Sequence, residues 1–434
     1  MFPKPAVWLL IALHWALAGL YAAIAPYRTP GVVSGHFMAD IGAPDEMAHS
    51  QYVQYLFEGK GLPPAPEAPD MPTYEAHQPP LYYALAAAWA KIGMREDFDA
   101  FSTGYWLRWL NILIGGVGVL GIARMCWLAT EDPRLTTASS TIAALLPMNV
   151  GVSASIGNDS LLIALGAWVA GLLVDVYKNG WTAKKAAAIG VLIGLSLLTK
   201  TSGLALFLPL AVCLYLTRSR ARPVYWLAVP ALALLIVSPI WIRNYILYQD
   251  PLLLRTFAEN WKDVAIDKSH MTLRAFARHA RDFIEYTTFS FFGMLGYMAI
   301  RLPLRVYLVL ILGSGWLAYG TVKALQRQTS REERSLNWLI GSVLIAAMIL
   351  YVRFNLDYVQ PQARYFFTAL GPVAYFLALG FKHWCGKSFK RAFPVLAMVM
   401  LIVNVMAVRA MIRDFHQMQT DLRDAGGPAA FKQS

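Results

Sequence analysis

Charge is scarce in this chain of 434 residues: Asp, Glu, Lys and Arg make up 15% of it, where a soluble domain carries about a quarter. That shortage excludes an ordinary soluble enzyme. Cysteine is scarcer still. Cys126, Cys213 and Cys385 are widely spaced and sit in or beside apolar runs, which excludes a disulfide framework and any Cys-based zinc spacing. Internal repeats, Gly/Ser linkers and a separate soluble region are missing too. Disorder is excluded by the 57% of apolar residues, because disordered chains need low hydrophobicity. The net charge of +12 would fit nucleic acid. The basic residues lie in short loops between apolar runs, however, so no nucleic-acid partner is expected.

Long apolar runs are what the sequence has in quantity. A helix needs about 20 apolar residues to cross a bilayer, with about 17–25 tolerated. About eleven runs are candidates: 6–25, 105–128, 135–155, 160–176, 186–198, 203–217, 223–242, 302–322, 336–352, 363–381 and 393–408. The two runs flanking Lys200 are short. They read as two thin spans or as a hairpin turning inside protein. The expected fold is an all-α polytopic membrane protein forming a single domain over 1–434. The 14 Trp and 21 Tyr suit a chain with many membrane–water interfaces, where amphipathic rings collect.

Loop charge orients the chain. With a cytoplasmic N-terminus, the cytoplasmic stretches hold 17 Lys and Arg against five acids, while the first outer loop, 26–104, holds four bases against ten acids. Positive residues belong inside, so this assignment is favoured. It requires 79–93 to lie at the outer interface rather than cross, with Tyr82, Tyr83 and Trp89 as anchors. The first run reads as an uncleaved anchor, since it is longer than a signal-peptide core of ~7–15 residues. The other outer pieces are 243–301 and a short tail, 411–434. The expected location is a bacterial inner membrane with the large loops in the periplasm.

Ionisable residues gather at the outer ends of these runs. Asp45-Glu46 opens a helix-like stretch, where a helix cap is the plain interpretation. Glu75-Ala76-His77 precedes the interface helix. Asp159 follows Asn158 between the third and fourth runs, and a carboxylate between two spans marks a functional site by default. Lys200 interrupts an otherwise apolar stretch, and could simply snorkel to the interface. Arg243 and Arg364-Tyr365 stand at the mouths of two other runs. Arg suits a phosphate because its planar fork binds two oxygens. Carboxylates beside cations on one membrane face fit transfer from a phosphate-linked lipid. The cations would steady the departing phosphate, and a carboxylate would take the acceptor's proton.

The order of these motifs resembles the GT-C superfamily of membrane glycosyltransferases, in the branch of protein mannosyltransferases and aminoarabinose transferases. The resemblance rests on Asp45-Glu46, the string from Glu75 to Tyr83, Asn158-Asp159, Leu198-Thr199-Lys200-Thr201 and Gln362-Ala363-Arg364-Tyr365. It implies an inverting transferase using a polyprenyl-phosphate sugar, with a lipid, glycan or protein acceptor. Asp45 would be the general base, with Glu46 and Asp159 as its catalytic companions. Glu75, His77, Lys200, Arg243, Arg364 and Tyr365 would bind substrate or phosphate. No cofactor is certain. A divalent metal is a candidate through the Glu75–His77 spacing, but further ligands such as His49 or His270 would have to come from elsewhere. The competing readings are a transporter or flippase of lipid-linked sugars and a polysaccharide ligase or polymerase.

Overall fold

The computed structural model describes residues 1–65, 74–93, 97–262, 265–266 and 271–431. His270 lies outside the described residues. After α1 (Lys4–Ile24), a two-stranded hairpin, β1 (Gly31–Val33) and β2 (His36–Met38), leads to α2 (Glu46–Phe57). A single 3-10 turn, Tyr74–His77, precedes α3 (Leu81–Gly93). The helical body follows as α4 (Phe101–Thr130), α5 (Pro133–Leu145), α6 (Pro147–Ser153), α7 (Asp159–Asn179), α8 (Ala183–Thr199), α9 (Phe207–Leu216) and α10 (Val224–Tyr248). Next come α11 (Leu254–Asn260), α12 (Leu273–Gly293) and a small hairpin, β3 (Met294–Leu295) and β4 (Ile300–Arg301), around the distorted turn α13 (Gly296–Ala299). The chain ends with α14 (Leu304–Gln326), α15 (Arg331–Asn355), a 3-10 stretch (Ala363–Ala369), α16 (Leu370–Cys385) and α17 (Phe389–Asp424). The protein is an all-α integral membrane protein. Its two-residue and three-residue strand pairs only trim the loops.

Among the described residues, seven helices are long and apolar enough to cross a membrane, or eight if the bent pair α5–α6 counts as one span. The sequence has about eleven candidate runs, and the difference has local causes. α8 has only 17 residues. The run after Lys200 divides into a six-residue 3-10 turn and the ten-residue α9. The last two runs belong to one long helical stretch, Ala363–Asp424.

Two breaks aim loops at the candidate site. α5 and α6 meet at 61°. Pro147 cannot donate a backbone hydrogen bond, and Leu146 before it is extended (φ −67, ψ 116). At the second break Lys200 is extended (φ −160, ψ 141) and α8 stops. Gly203 then lies so close to the backbone of Ser196 and Leu197 that a Cβ there would approach within 2.8 Å. The 3-10 turn that follows Lys200 is therefore folded tightly against the end of α8.

Two expectations are corrected. Tyr82 and Tyr83 are fully buried, so they are not interfacial anchors. Tyr82 receives the Gly157 N–H at 3.0 Å, and the Tyr83 hydroxyl pairs with His49 at 2.9 Å. Trp89 stacks on Trp106 at 4.6 Å and donates to its carbonyl. Nor does the last helix end near Val408. It continues to Asp424, burying Met411, Phe415, Met418 and Leu422, so most of the tail is a packed helix.

Candidate active site

The site begins with a residue that does not do what its position predicts. Asp45 occupies the N-cap position of α2, yet its side chain caps nothing and its backbone is left-handed (φ 63, ψ 5). Asp tolerates that region better than most residues, but it is still an uncommon conformation, of the kind found at functional sites. The freed carboxylate accepts from the Tyr74 hydroxyl at 2.7 Å and from Arg364 Nη2 at 2.9 Å. It keeps 29% of its side-chain surface exposed.

Arg364 joins two carboxylates. Its Nη1 donates to Asp159 Oδ2 at 3.3 Å, and its Nε to Gln362 at 2.7 Å. Lys200 Nζ donates to the other Asp159 oxygen at 2.6 Å. The ring of Tyr365 lies beneath both cations, 5.1 Å from the guanidinium and 5.0 Å from the ammonium, close enough for cation–π attraction. Asp159, Lys200 and Arg364 are 8, 15 and 10% exposed at their side chains. Lys200 therefore does not snorkel outward. Two anions and two cations make the cluster electrically neutral.

A second group borders it. Glu75 is buried, with Oε2 3.7 Å from His49 Nδ1. Burial is the largest influence on all three titrating groups here. It pushes Glu75 above the ordinary carboxylate range and His49 below the ordinary imidazole range. It would raise Asp45 as well, but Arg364, His49 and the Tyr74 hydroxyl outweigh it and hold Asp45 below the ordinary range. Adjacent carboxyls pushed in opposite directions are the pattern expected of an acid–base site.

Three residues predicted for the site sit elsewhere. Glu46 is fully buried and faces away from Asp45. Its oxygens take Arg108 Nε at 2.8 Å, Arg108 Nη2 at 2.6 Å and the Ile156 N–H at 2.8 Å. Glu46 is the first residue of α2 and enters the core, while the left-handed backbone of Asp45 before it leaves that carboxylate facing the cleft. Glu46 thus ties α2 to α4 and to the 154–158 loop. Arg243 also stands outside the cluster. It donates to the carbonyls of Leu62 and Pro63 at 3.4 and 3.2 Å and has no carboxylate partner among the described residues. His77 joins it in lining a small, partly open cleft with Gln78, Thr201 and Asn244. Burial lowers the His77 pKa to about 4, so this ring is neutral, and its Nδ1 is bonded to the Tyr74 carbonyl at 2.7 Å.

Sequence reasoning missed Arg108 and Tyr74. The signal for Arg108 was present: it is the only charged residue between Asp99 and Arg124, and a charge within a span demands a partner. Tyr74 carries no comparable signal. The Arg364 guanidinium already bridges Asp45 and Asp159, and among the described residues no group of three His, Cys, Asp or Glu converges.

The fold is similar to that of several solved membrane proteins. The chain superposes on the Archaeoglobus fulgidus oligosaccharyltransferase in its apo form with a TM-score of 0.56 and 12% identity, over 95% of this chain and 56% of that one. With ArnT from Cupriavidus metallidurans bound to undecaprenyl phosphate, the TM-score is 0.55 and the identity 13%, over 95 and 76%. With the Archaeoglobus fulgidus oligosaccharyltransferase AglB in complex with an inhibitory peptide and a dolichol-phosphate, the values are 0.52 and 14%, over 93 and 56%. The chain spans little more than half the length of the oligosaccharyltransferase, and identities this low speak for the fold alone. By sequence, the chain belongs to the DUF2142 family of predicted membrane proteins, matched over residues 63–377. No curated protein matches it.

Proposed function

We propose that this protein is an inverting glycosyltransferase that takes a sugar from a polyprenyl-phosphate donor at the periplasmic face of a bacterial inner membrane. The observation that carries the reading is the release of the Asp45 carboxylate from helix capping and its placement against Arg364 and Asp159. The fold is shared with proteins whose structures contain undecaprenyl phosphate or dolichol-phosphate, which supports a lipid-phosphate donor.

The roles follow from charge. The cluster of Asp45, Asp159, Lys200 and Arg364 is neutral, so it gains little from a further anion. Arg243 is a cation without a carboxylate partner among the described residues, beside neutral His77, and takes the donor phosphate. The bilayer-facing side of α10 next to it exposes Ile242, Tyr245 and Ile246, which leaves the polyprenyl tail in lipid. Arg364 and Lys200 hold the two acids in place over Tyr365, and Arg364 keeps Asp45 ionised. An acceptor hydroxyl or amine attacks the anomeric carbon as its proton passes to Asp45. The bond from that carbon to the phosphate oxygen breaks on the opposite side, and the phosphate leaves with the electron pair.

The test is turnover of a small panel of radiolabelled polyprenyl-phosphate sugars by the protein in membranes. Transfer or slow hydrolysis of one donor is expected. Binding or movement of lipid-linked sugar across vesicles without cleavage of any donor would place the protein among transporters instead.

A further inference from the structure

Two buried hydrogen-bond acceptors near the cluster have nothing to accept from. Glu75 is 4% exposed and Asn158 1%, and neither Glu75 Oε2 nor Asn158 Oδ1 has a hydrogen-bond partner. Folded proteins rarely leave such atoms unpaired, and each exception calls for an explanation. Neither group is free to turn away. The Asn158 amide donates to the Thr199 carbonyl at 3.2 Å and to Gln78 Oε1 at 3.4 Å, which fixes which end is the oxygen. Glu75 faces His49 Nδ1 at 3.7 Å, but that nitrogen is already paired with the Tyr83 hydroxyl at 2.9 Å.

Their location is as informative as their chemistry. His77 and Gln78, close behind Glu75 in the chain, line the cleft that holds Arg243. Gln78 also grips Asn158, whose neighbour Asp159 belongs to the charged cluster. Glu75 thus stands two positions before a residue of the Arg243 cleft, and Asn158 stands next to Asp159 of the charged cluster. Both lack a donor, so the complementary ligand brings O–H or N–H groups.

We infer that Glu75 and Asn158 form the subsite that grips the hydroxyl or amino groups of the transferred sugar. This rests on the glycosyl-transfer reading above. A donor anchored by its phosphate at Arg243 would place its sugar inward, where these acceptors hold it for attack beside Asp45. A site built around such hydrogen bonds discriminates strongly, because a substrate lacking the group leaves a buried acceptor unpaired.

The experiment compares wild type with Glu75→Leu and Asn158→Leu in nanodiscs, with Glu75→Met and Asn158→Val as alternative apolar replacements should the leucines fail to fold. Bare polyprenyl phosphate and polyprenyl-phosphate sugars are the probes, including monodeoxy and amino sugars. Sugar-bearing lipid should raise the melting temperature of wild type more than bare lipid, and the surplus should vanish in the variants. Wild type should reject at least one monodeoxy donor by about a hundredfold in kcat/KM, and the variants by less than about tenfold. Selectivity for an amino sugar that disappears with Glu75 would identify the group as ammonium; selectivity for a particular hydroxyl would identify it as O–H. Unchanged discrimination in the variants overturns the assignment. So does equal stabilisation by bare and sugar-bearing lipid in a protein that still cleaves donor, and that result leaves the glycosyl-transfer reading intact. Failure of every donor to bind or to be cleaved removes that reading and the subsite together.

Discussion

Arg364 and Asp45 are 319 positions apart in the chain and 2.9 Å apart in the fold. The pair joins the first loop to the last third of the molecule, and Asp159 completes the bridge. The account predicts that removing the guanidinium harms both folding and chemistry. Arg364→Gln leaves two largely buried carboxylates facing one lysine. A loss of roughly 3 kcal/mol is expected from breaking a buried pair, together with a fall in turnover. Thermal unfolding and donor cleavage measured on one preparation check this, and Arg364→Lys should recover part of each.

The two acids that open α2 should separate cleanly. Asp45→Asn keeps the shape and leaves Arg364 paired with Asp159, so it should stay folded at a smaller stability cost than Arg364→Gln and cut turnover by about 10²–10⁴, the usual contribution of a general base. Arg108→Ala strands the buried Glu46 carboxylate and should cost about 3–5 kcal/mol. Replacing Arg108 and Glu46 together by Met and Leu should restore much of that stability. Equal melting temperatures for Arg108→Ala and wild type would contradict the structural role of the pair.

The pH profile distinguishes Asp45 from Glu75 as the base. A base works only when deprotonated, so activity is lost as pH falls through its pKa. Arg364, His49 and Tyr74 hold Asp45 below the ordinary carboxylate range, so the acid limb should lie below about pH 4, where free Asp titrates. Burial raises Glu75. A limb above the ordinary carboxylate range would therefore point to Glu75.

Arg243 is predicted to act on both donor binding and departure of the phosphate. Arg243→Gln should raise KM for the donor by about tenfold or more and lower kcat as well, because charge develops on the leaving phosphate. It should also abolish stabilisation by bare polyprenyl phosphate. A kcat effect without a KM effect would move Arg243 out of the phosphate site.

Sidedness can be read with impermeant thiol reagents after Cys385→Ser, because Cys126 and Cys213 are buried. Lys60→Cys, at a side chain that is 56% exposed, should react from outside in intact cells. Lys387→Cys, in the turn after α16, should react only after lysis. The reverse pattern would invert the topology.

Most of the cluster was legible in the sequence because it obeys a simple rule. Asp159, Lys200 and Arg364 each stand at the end of an apolar run, where an ionisable group is costly unless it is used, and Asp45 opens a helix-like stretch of the first outer loop. What the sequence could not show was pairing across long separations. Asp45 and Glu46 are adjacent and chemically alike. Only the left-handed backbone at Asp45, where α2 begins, separates them, sending Glu46 to Arg108, 62 positions away, and Asp45 to Arg364. Arg243 sits at a helix mouth just as Arg364 does, but its partners are the neighbouring Asn244 amide oxygen and the backbone carbonyls at 62 and 63, and no pattern of side chains reveals those distant carbonyls. Tyr82 and Tyr83 look like anchors because aromatic residues favour interfaces. In the fold their hydroxyls hold Gly157 and His49, and the rings are buried.

The most direct test of the central claim is donor cleavage by wild type and Asp45→Asn in the same membranes, using the polyprenyl-phosphate sugar that wild type turns over fastest. The account predicts cleavage by wild type and a loss of at least about a hundredfold in the variant, with the variant still folded. Cleavage by Asp45→Asn at the wild-type rate would contradict it.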